Sequence, residues 1–539
     1  MNPRRPYRPG RKKGAGRSAW PLLALGAVGA LAALLVWSSG AASIDTGLTP
    51  TDTRIGAPMT ALPTTSSTPT VSAPTLTPDP TTTRIPNATP ASEATPTLAD
   101  VTPAANPTLF YTTLSGDTLP ALAARFGVLP EDIVAPNGLV GTTTLAEGQL
   151  LVIPHRDLGD RASDARMIPD SELIYTGSAA GFDAEQFATE QGGYLAGYSL
   201  FADGLNRAGG DVVLLVGQHH SINPRLLVAL LEYNSGWVTG PNPTGEALAY
   251  PMGYVHPYKQ HLYTQMYWAA AQLSTGYYGW RAGTLTHIKF LDGASLRLDP
   301  TLNAGTVALL YYFAQIHPRT QWENDLGPTG FIATYQNFFG DPFTRTMDSL
   351  IPVDLTQPPL TLPFLRGHTW YFSGGPHGAW LHGGGGAMAA LDFAPGSLEG
   401  GCAESLEWVT AVAAGKIVRV DNGSVLLDLD GDGREATGWV ILYLHIAEKD
   451  RIAAGAFVEA GDRLGHPSCE GGTSTGTHVH IARKYNGEWI PADGVVPFDM
   501  SGWIAHNGAA EYLGTLTRNG VTIVACTCTA AWTGITADP

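Results

Sequence analysis

Gly476-Thr477-His478-Val479-His480-Ile481-Ala482 decides how this chain is read. In a β-strand, side chains two apart point to one face, so His478 and His480 aim two imidazoles into one place. Neutral imidazole is a common metal ligand, and a second imidazole beside a metal can move protons. Two upstream stretches supply partners. Ala390-Leu391-Asp392-Phe393-Ala394-Pro395 sets one carboxylate among apolar residues. Ile441-Leu442-Tyr443-Leu444-His445-Ile446 is a strand-like run whose period of two puts Tyr443 and His445 on a shared face.

With these segments, residues 360–530 resemble the lysostaphin/LytM-type zinc metallopeptidases, most of all the β-lytic and staphylolysin branch, whose members cut peptide bonds in bacterial cell walls. The resemblance implies an antiparallel β metallopeptidase domain that holds one Zn2+. Carried over by position, Asp392 and His480 are metal ligands, and His445 and His478 are the catalytic pair. The first histidine ligand departs from the commoner pattern. Many members have His-x-x-x-Asp, but Met388 stands four residues before Asp392. The β-lytic branch carries this ligand further upstream, in a Gly-Gly-x-His segment followed by a Gly/Ser-rich loop. Gly374-Gly375-Pro376-His377-Gly378 fits that arrangement, with Gly383–Gly386 as the loop. His377 is therefore assigned as the third metal ligand, with His382 its rival. Three protein ligands leave the fourth tetrahedral position open, as catalytic zinc requires.

The chain has 539 residues and a net charge of −16, which argues against nucleic acid as a partner. The charge is unevenly placed. Residues 1–19 form a basic tail with Arg4, Arg5, Arg8, Arg11, Lys12, Lys13 and Arg17. The charge-free apolar run 20–37 follows, long enough for a transmembrane anchor or a signal sequence. The basic flank keeps the N-terminus cytoplasmic, so the rest lies at the outer face of the plasma membrane. If the small residues Gly40-Ala41-Ala42-Ser43 are cleaved by a signal peptidase, the protein is secreted. Residues 44–107 are dominated by Thr, Pro, Ala and Ser and read as a disordered linker, because such composition buries too little apolar surface to offset ordering entropy.

Residues 109–155 form a compact unit. Gly116-Asp117-Thr118-Leu119 reads as a turn into a helix with Asp117 as N-cap. A second short helix starts at Glu131-Asp132-Ile133 and ends near Asn137-Gly138, and Leu150-Leu151-Val152-Ile153-Pro154 closes as a strand. The segment resembles LysM, a βααβ glycan-binding module. That resemblance implies peptidoglycan as partner and a sugar groove lined by Gly116, Asp117, Thr118, Leu119, Asn137, Gly138 and Leu139.

Residues 165–345 read as mostly α. Asn223-Pro224 is an N-cap followed by Pro at the first helical position, Leu226, Leu227, Leu230 and Leu231 give an apolar face, and Gly236 is the stop. The stretch Asn223–Trp237 resembles the catalytic helix of lysozyme-like lytic transglycosylases. There a Glu precedes Ser-Gly; here the residue is Asn234, which has no proton to give a leaving oxygen. The expectation is an inactive relative.

Four cysteines remain: Cys402 and Cys469 can pair, whereas Cys526 and Cys528 are awkwardly close for a mutual bridge. Asp421-Asn422-Gly423 marks a hairpin turn, and Asp428–Gly433 reads as an acidic loop without the Glu an EF-hand needs. The whole is a multidomain envelope protein with two readings. One is a zinc metalloendopeptidase acting on peptidoglycan, and the other is a catalytically inactive wall-binding scaffold.

Overall fold

The computed structural model describes residues 107–539 apart from 142, 203, 348, 381–385 and 397–399. The basic tail, the apolar run 20–37 and the Pro/Thr-rich stretch up to 106 lie outside the described residues, as does His382. Among the described residues, no helix is long and apolar enough to cross a membrane.

Strands β1 (Thr108–Thr112) and β2 (Leu150–Pro154) pair antiparallel, with α1 (Leu119–Phe126) between them. The cap of α1 is Thr118, whose hydroxyl accepts from Ala121 N, rather than Asp117. Asp117 is 2% exposed and is spent inside the module. Its carboxylate accepts from Tyr111 Oη at 2.7 Å, Leu114 N at 2.8 Å and Arg125 Nη1 at 2.8 Å. The expected second helix is only a 3-10 turn, Pro130–Asp132. It stops early because Val134 exchanges backbone hydrogen bonds with Val152, which pulls the chain into an extended path.

The middle region is helical. Its main elements are α2 (Gly209–His220), α3 (Pro224–Ser235), α4 (Leu262–Arg281) and α5 (Ala304–Ala314), with α4 packed on both α2 and α5. Helix α3 begins and ends where the sequence places it. Asn223 accepts from Arg225 N at 3.0 Å, and Gly236 takes the left-handed conformation, φ 65°. Asn234 and Glu232 both turn inward on local structure. Asn234 Nδ2 donates to Leu230 O and Tyr312 Oη, while the Glu232 carboxylate accepts from Val238 N, Thr239 N and Thr239 Oγ1.

The remainder is built on a nine-stranded antiparallel sheet. Its strands are β3 (Thr369–Gly378), β4 (Met388–Pro395), β5 (Gly415–Asp421), β6 (Ser424–Asp428), β7 (Trp439–Leu444), β8 (Phe457–Val458), β9 (Val479–Tyr485), β10 (Glu488–Trp489) and β11 (Gly534–Thr536). The order is β8-β5-β6-β7-β9-β4-β3-β11, with β10 paired to the far end of β9. Strands β5 and β6 meet through Asn422-Gly423, with Asp421 opposite Ser424 and Gly423 at φ 71°.

Alternation sorts the side chains. Leu391, Phe393, Ile441, Tyr443, Val479 and Ile481 face one apolar core with Trp370, Phe372 and Phe498. On the other face Ala390, Leu426, Val440, Leu442, Ala482 and Trp489 share a core with the buried sides of α2 to α5. Helices and sheet are thus one packed layer pair. The seam is also polar: Trp489 N donates to Tyr278 Oη at 2.9 Å, and Arg281 bridges Asp170 (3.3 Å) and Glu488 (3.2 Å). The small βαβ module is docked to the same helix. Arg125 Nη2 donates to Trp280 O at 2.9 Å, and Arg281 Nη1 donates to Ser115 O beside Gly116, where any Cβ would collide with that guanidinium.

His220, at the end of α2, is 2% exposed, and among the described residues neither ring nitrogen has a hydrogen-bond partner. Burial pushes its pKa down to about 3, from about 6.5 in an unfolded chain. The fold requires the neutral ring. Its contribution is therefore complete above pH ~6.5 and declines as pH falls toward 3. His220→Leu should remove on the order of 3 kcal/mol of the stability difference between pH 7 and pH 4, measured by denaturant midpoints at both pH values. Parallel losses in mutant and parent would contradict this.

Candidate metal centre

The register of three strands assembles the site. His480 on β9 lies opposite Asp392 on β4, and Asp392 lies opposite Gly374 on β3. The pairing of β3 with β4 is irregular between Gly374 and His377, which swings His377 back over the row. Asp392 sits in a strand of apolar neighbours and is 6% exposed. Gly374 is needed there, because any Cβ would collide with Asp392 Oδ2.

His377 Nε2 and His480 Nδ1 face each other at 2.9 Å, and Asp392 Oδ1 lies 3.4 Å from the first and 3.2 Å from the second. The outward nitrogens are held by carbonyls: His377 Nδ1 donates to Gly375 O and His480 Nε2 to Ala379 O, both at 2.8 Å. Such partners fix the tautomer in which the inward nitrogen carries a lone pair. Asp392 Oδ1 is buried and has no hydrogen-bond partner. Two lone pairs and an orphaned carboxylate oxygen converging on one point need a cation between them. The three side chains fit one.

The charges agree. Burial pulls His377 down, but the adjacent Asp392 carboxylate outweighs it and raises its pKa. Burial likewise raises Asp392, yet the neighbouring His377 and His478 hold it well below the usual carboxylate range. His480 is lowered, chiefly by burial. A positive charge is therefore wanted at the centre of the cluster.

Two further imidazoles stand beside it, His445 and His478, with ring centroids 4.5 Å apart. His445 Nδ1 is tied to Glu470 O at 2.8 Å and His478 Nδ1 to Gly476 O at 2.7 Å, leaving both Nε2 atoms free of the backbone. His478 Nε2 is 3.7 Å from Asp392 Oδ1. Burial, with His478 and His480 alongside, pushes His445 down to about 3, so it is neutral across the physiological range. Tyr443 does not share its face as the alternation predicts. Strand β7 ends at Leu444 and His445 adopts φ 67°, which turns its ring into the site while Tyr443 Oη accepts from Val412 N in the core.

All five histidine and aspartate side chains line one cleft of about 610 Å3, with Tyr512 and the segment 527–529 on its rim. Tyr512 stacks on His377 (4.1 Å between centroids, 25°), and its loop is zipped to β3 through Gly375 N to Tyr512 O at 2.9 Å. Neither Tyr512 nor the rim carries a spacing signal in the sequence. Cys526 and Cys528 form a disulfide, contrary to the expectation, with Cα atoms 5.0 Å apart. Cys402–Cys469 forms the other. A strap running off the end of β3 ties the site to the helical layer: Trp380, next to the Ala379 carbonyl that holds His480, stacks on His219 at 3.9 Å, and its backbone carbonyl accepts from Tyr267 Oη at 3.2 Å.

An antiparallel sheet with a buried His-Asp-His cluster in an open cleft is an arrangement that could hold a metal ion. Residues 111–154 match the LysM domain, and residues 166–353, the helical middle region, match the domain described as LasA, N-terminal. Protease LasA of Pseudomonas aeruginosa is 28% identical over 296 residues, 51% of this chain and 66% of LasA. The β-lytic metalloendopeptidase of Lysobacter enzymogenes is 30% identical over 143 residues, 25% of this chain and 74% of that protein. Among solved structures, the deep-sea M23 metalloprotease pseudoalterin is 28% identical with a TM-score of 0.27, covering 31% of this chain and 96% of its own. The chain belongs to the LasA/β-lytic M23 metallopeptidase family and carries a LysM domain.

Gly374→Ala should lower metal affinity at least about tenfold by displacing the Asp392 carboxylate, read from competitive titration against a chromogenic chelator. Unchanged affinity would mean that Asp392 does not ligate.

Proposed function

We propose that this protein is a zinc metalloendopeptidase that hydrolyses peptide bonds in peptidoglycan. The observation that carries the reading is the orphaned Asp392 Oδ1 facing two inward imidazole nitrogens, with a second histidine pair at the same cleft. His377, Asp392 and His480 are the ligands, and their N/N/O set suits Zn2+. When bound, zinc supplies Lewis-acid polarisation of a carbonyl and acidification of a water ligand.

The chain's own residues do the rest. His478, nearest the Asp392 carboxylate, takes the proton from the attacking water as general base. His445, neutral at rest with its Nδ1–H given to Glu470 O, takes up at Nε2 the proton relayed from His478, and in that charged form faces the developing oxyanion and passes the proton to the leaving amine. Carbonyl partners on both Nδ1 atoms leave each Nε2 with a lone pair at rest, ready to accept a proton.

LysM brings the enzyme to glycan, through Gly116, Thr118 and Leu119 on one side and the exposed Asn137, Gly138 and Leu139 on the other. Asp117 supports that loop from within rather than touching sugar. An extracytoplasmic location fits the disulfides. The basic and apolar stretch 1–37 would serve as the membrane tether or export signal.

Elemental analysis of purified protein should find one zinc per chain, and muropeptide products should appear by mass spectrometry and vanish with chelator. His377→Ala should lose the metal while His382→Ala keeps it. His445→Ala should keep the metal and lose about 100-fold or more in turnover. Tight zinc binding and wall binding without any peptide release would instead establish the inactive scaffold.

A further inference from the structure

The connector from the helical layer to the sheet crosses the small module on its way. Ser349 Oγ lies 3.2 Å from Ser115 Oγ, and Ile351 N donates to the same Ser115 oxygen at 3.3 Å. One residue on, Pro352 O accepts from Thr144 Oγ1 at 3.2 Å. Val353 then comes to rest at Gly141, where a Cβ would lie 3.4 Å from its Cγ1. Ser115 belongs to the loop between β1 and α1, whereas Gly141 and Thr144 belong to the loop that runs into β2. Residues 349–353 therefore span the gap between the two loops. Ile351 also lines one cavity with Gly116, Thr118 and Thr144.

On the glycan reading of the module, on which this rests, the same two loops carry the groove residues, 116–119 and 137–139. The connector presents what such a groove would take. An acetamido sugar offers an amide N–H, an amide carbonyl and hydroxyls; Ile351 N–H, Pro352 C=O and Ser349 Oγ offer that set to Ser115 and Thr144. The two sides of the connector are held unequally. Toward the sheet, Leu350, Ile351 and Leu355 are buried with Trp439, Ile490 and Val496, and Leu350 O accepts from Asn486 Nδ2 at 3.0 Å. Toward the module the hydrogen bonds are neutral and long, 3.2–3.3 Å, each of modest net worth. A ligand that competes for Ser115 and Thr144 has to break only this weaker side. The module meanwhile stays held on α4 through Arg125 and Arg281.

We infer that segment 349–353 is an intramolecular stand-in for glycan: it closes the LysM groove in the resting chain, and sugar binds by displacing it. Apparent affinity is then the groove's own affinity reduced by the fraction of chains whose connector has let go. Linkage runs both ways, so bound glycan frees the connector.

Hydrogen exchange of the full chain, read by mass spectrometry with and without saturating N-acetylglucosamine tetramer, tests this directly. Peptides covering 349–353 should take up deuterium faster when the tetramer is bound. Unchanged or slower uptake would mean that the groove was open all along, and would overturn the assignment. Calorimetry gives an independent check. Ser349→Ala should tighten tetramer binding about threefold. Ser115→Cys combined with Ser349→Cys should crosslink the connector across the groove, since the two hydroxyls touch and the four native cysteines are already paired. The crosslinked form should bind at least tenfold more weakly than either single variant. Equal binding by crosslinked and single-variant forms would refute the stand-in and leave the glycan reading intact. Absence of binding in every form, Ser349→Ala included, would remove the glycan reading and the stand-in with it.

Discussion

The structure depends on one buried charge. Asp392 lies in the middle of an apolar strand, with a sheet partner on either side, and is only 6% exposed where it lines the cleft. An isolated carboxylate there would be expensive. It is tolerable because the hydrogen-bonding register places an imidazole on one neighbouring strand, a glycine opposite on the other, and a second imidazole returning across a bulge. A slip of one residue in β9 against β4 would send His480 into the opposite core and bring Ile481 or Val479 to the carboxylate. Fold and site are therefore specified by the same pairings.

Much of this was legible in the sequence, for physical reasons. The alternation around His480 and around Asp392 is a strand signal and a site signal at once, since both faces of this sheet are covered and a polar residue inside needs a partner. The α3 caps followed from local chemistry, as did the Asn422-Gly423 turn. What escaped depended on contacts distant in sequence or on single backbone torsions. His445 left the alternation because one residue at φ 67° ends the strand. Thr118, not Asp117, capped α1 because Asp117 was claimed by Arg125 and Tyr111. Tyr512 reached His377 through a loop zipped to β3, which no spacing announces. His377 itself was assigned through family resemblance, because a bulge rather than a period brings it to the row.

The helical layer is part of the same packing problem. Ala390, Leu442 and Ala482, on the sheet face that packs on the helices, share one buried core with them, and Asp392 and His480 continue the Ala390 and Ala482 rows of that face. Ligand and helix are linked through a short path: His480 to the Ala379 carbonyl, then Trp380 on His219 and Tyr267. Removing the helices would uncover a contiguous apolar patch and release the strap that orients one ligand.

The Arg281 guanidinium seated against Gly116 and Ser115 has a further implication for how a polymer is handled. A module swinging on a flexible tether samples many separations from its catalytic partner, and the benefit follows chain statistics. Here the small module is bolted to a helix that also braces the sheet, so its separation from the cleft is fixed. Such an assembly works as a gauge: the distance between grip and cut is written into folded geometry and would not change with the length of any upstream spacer.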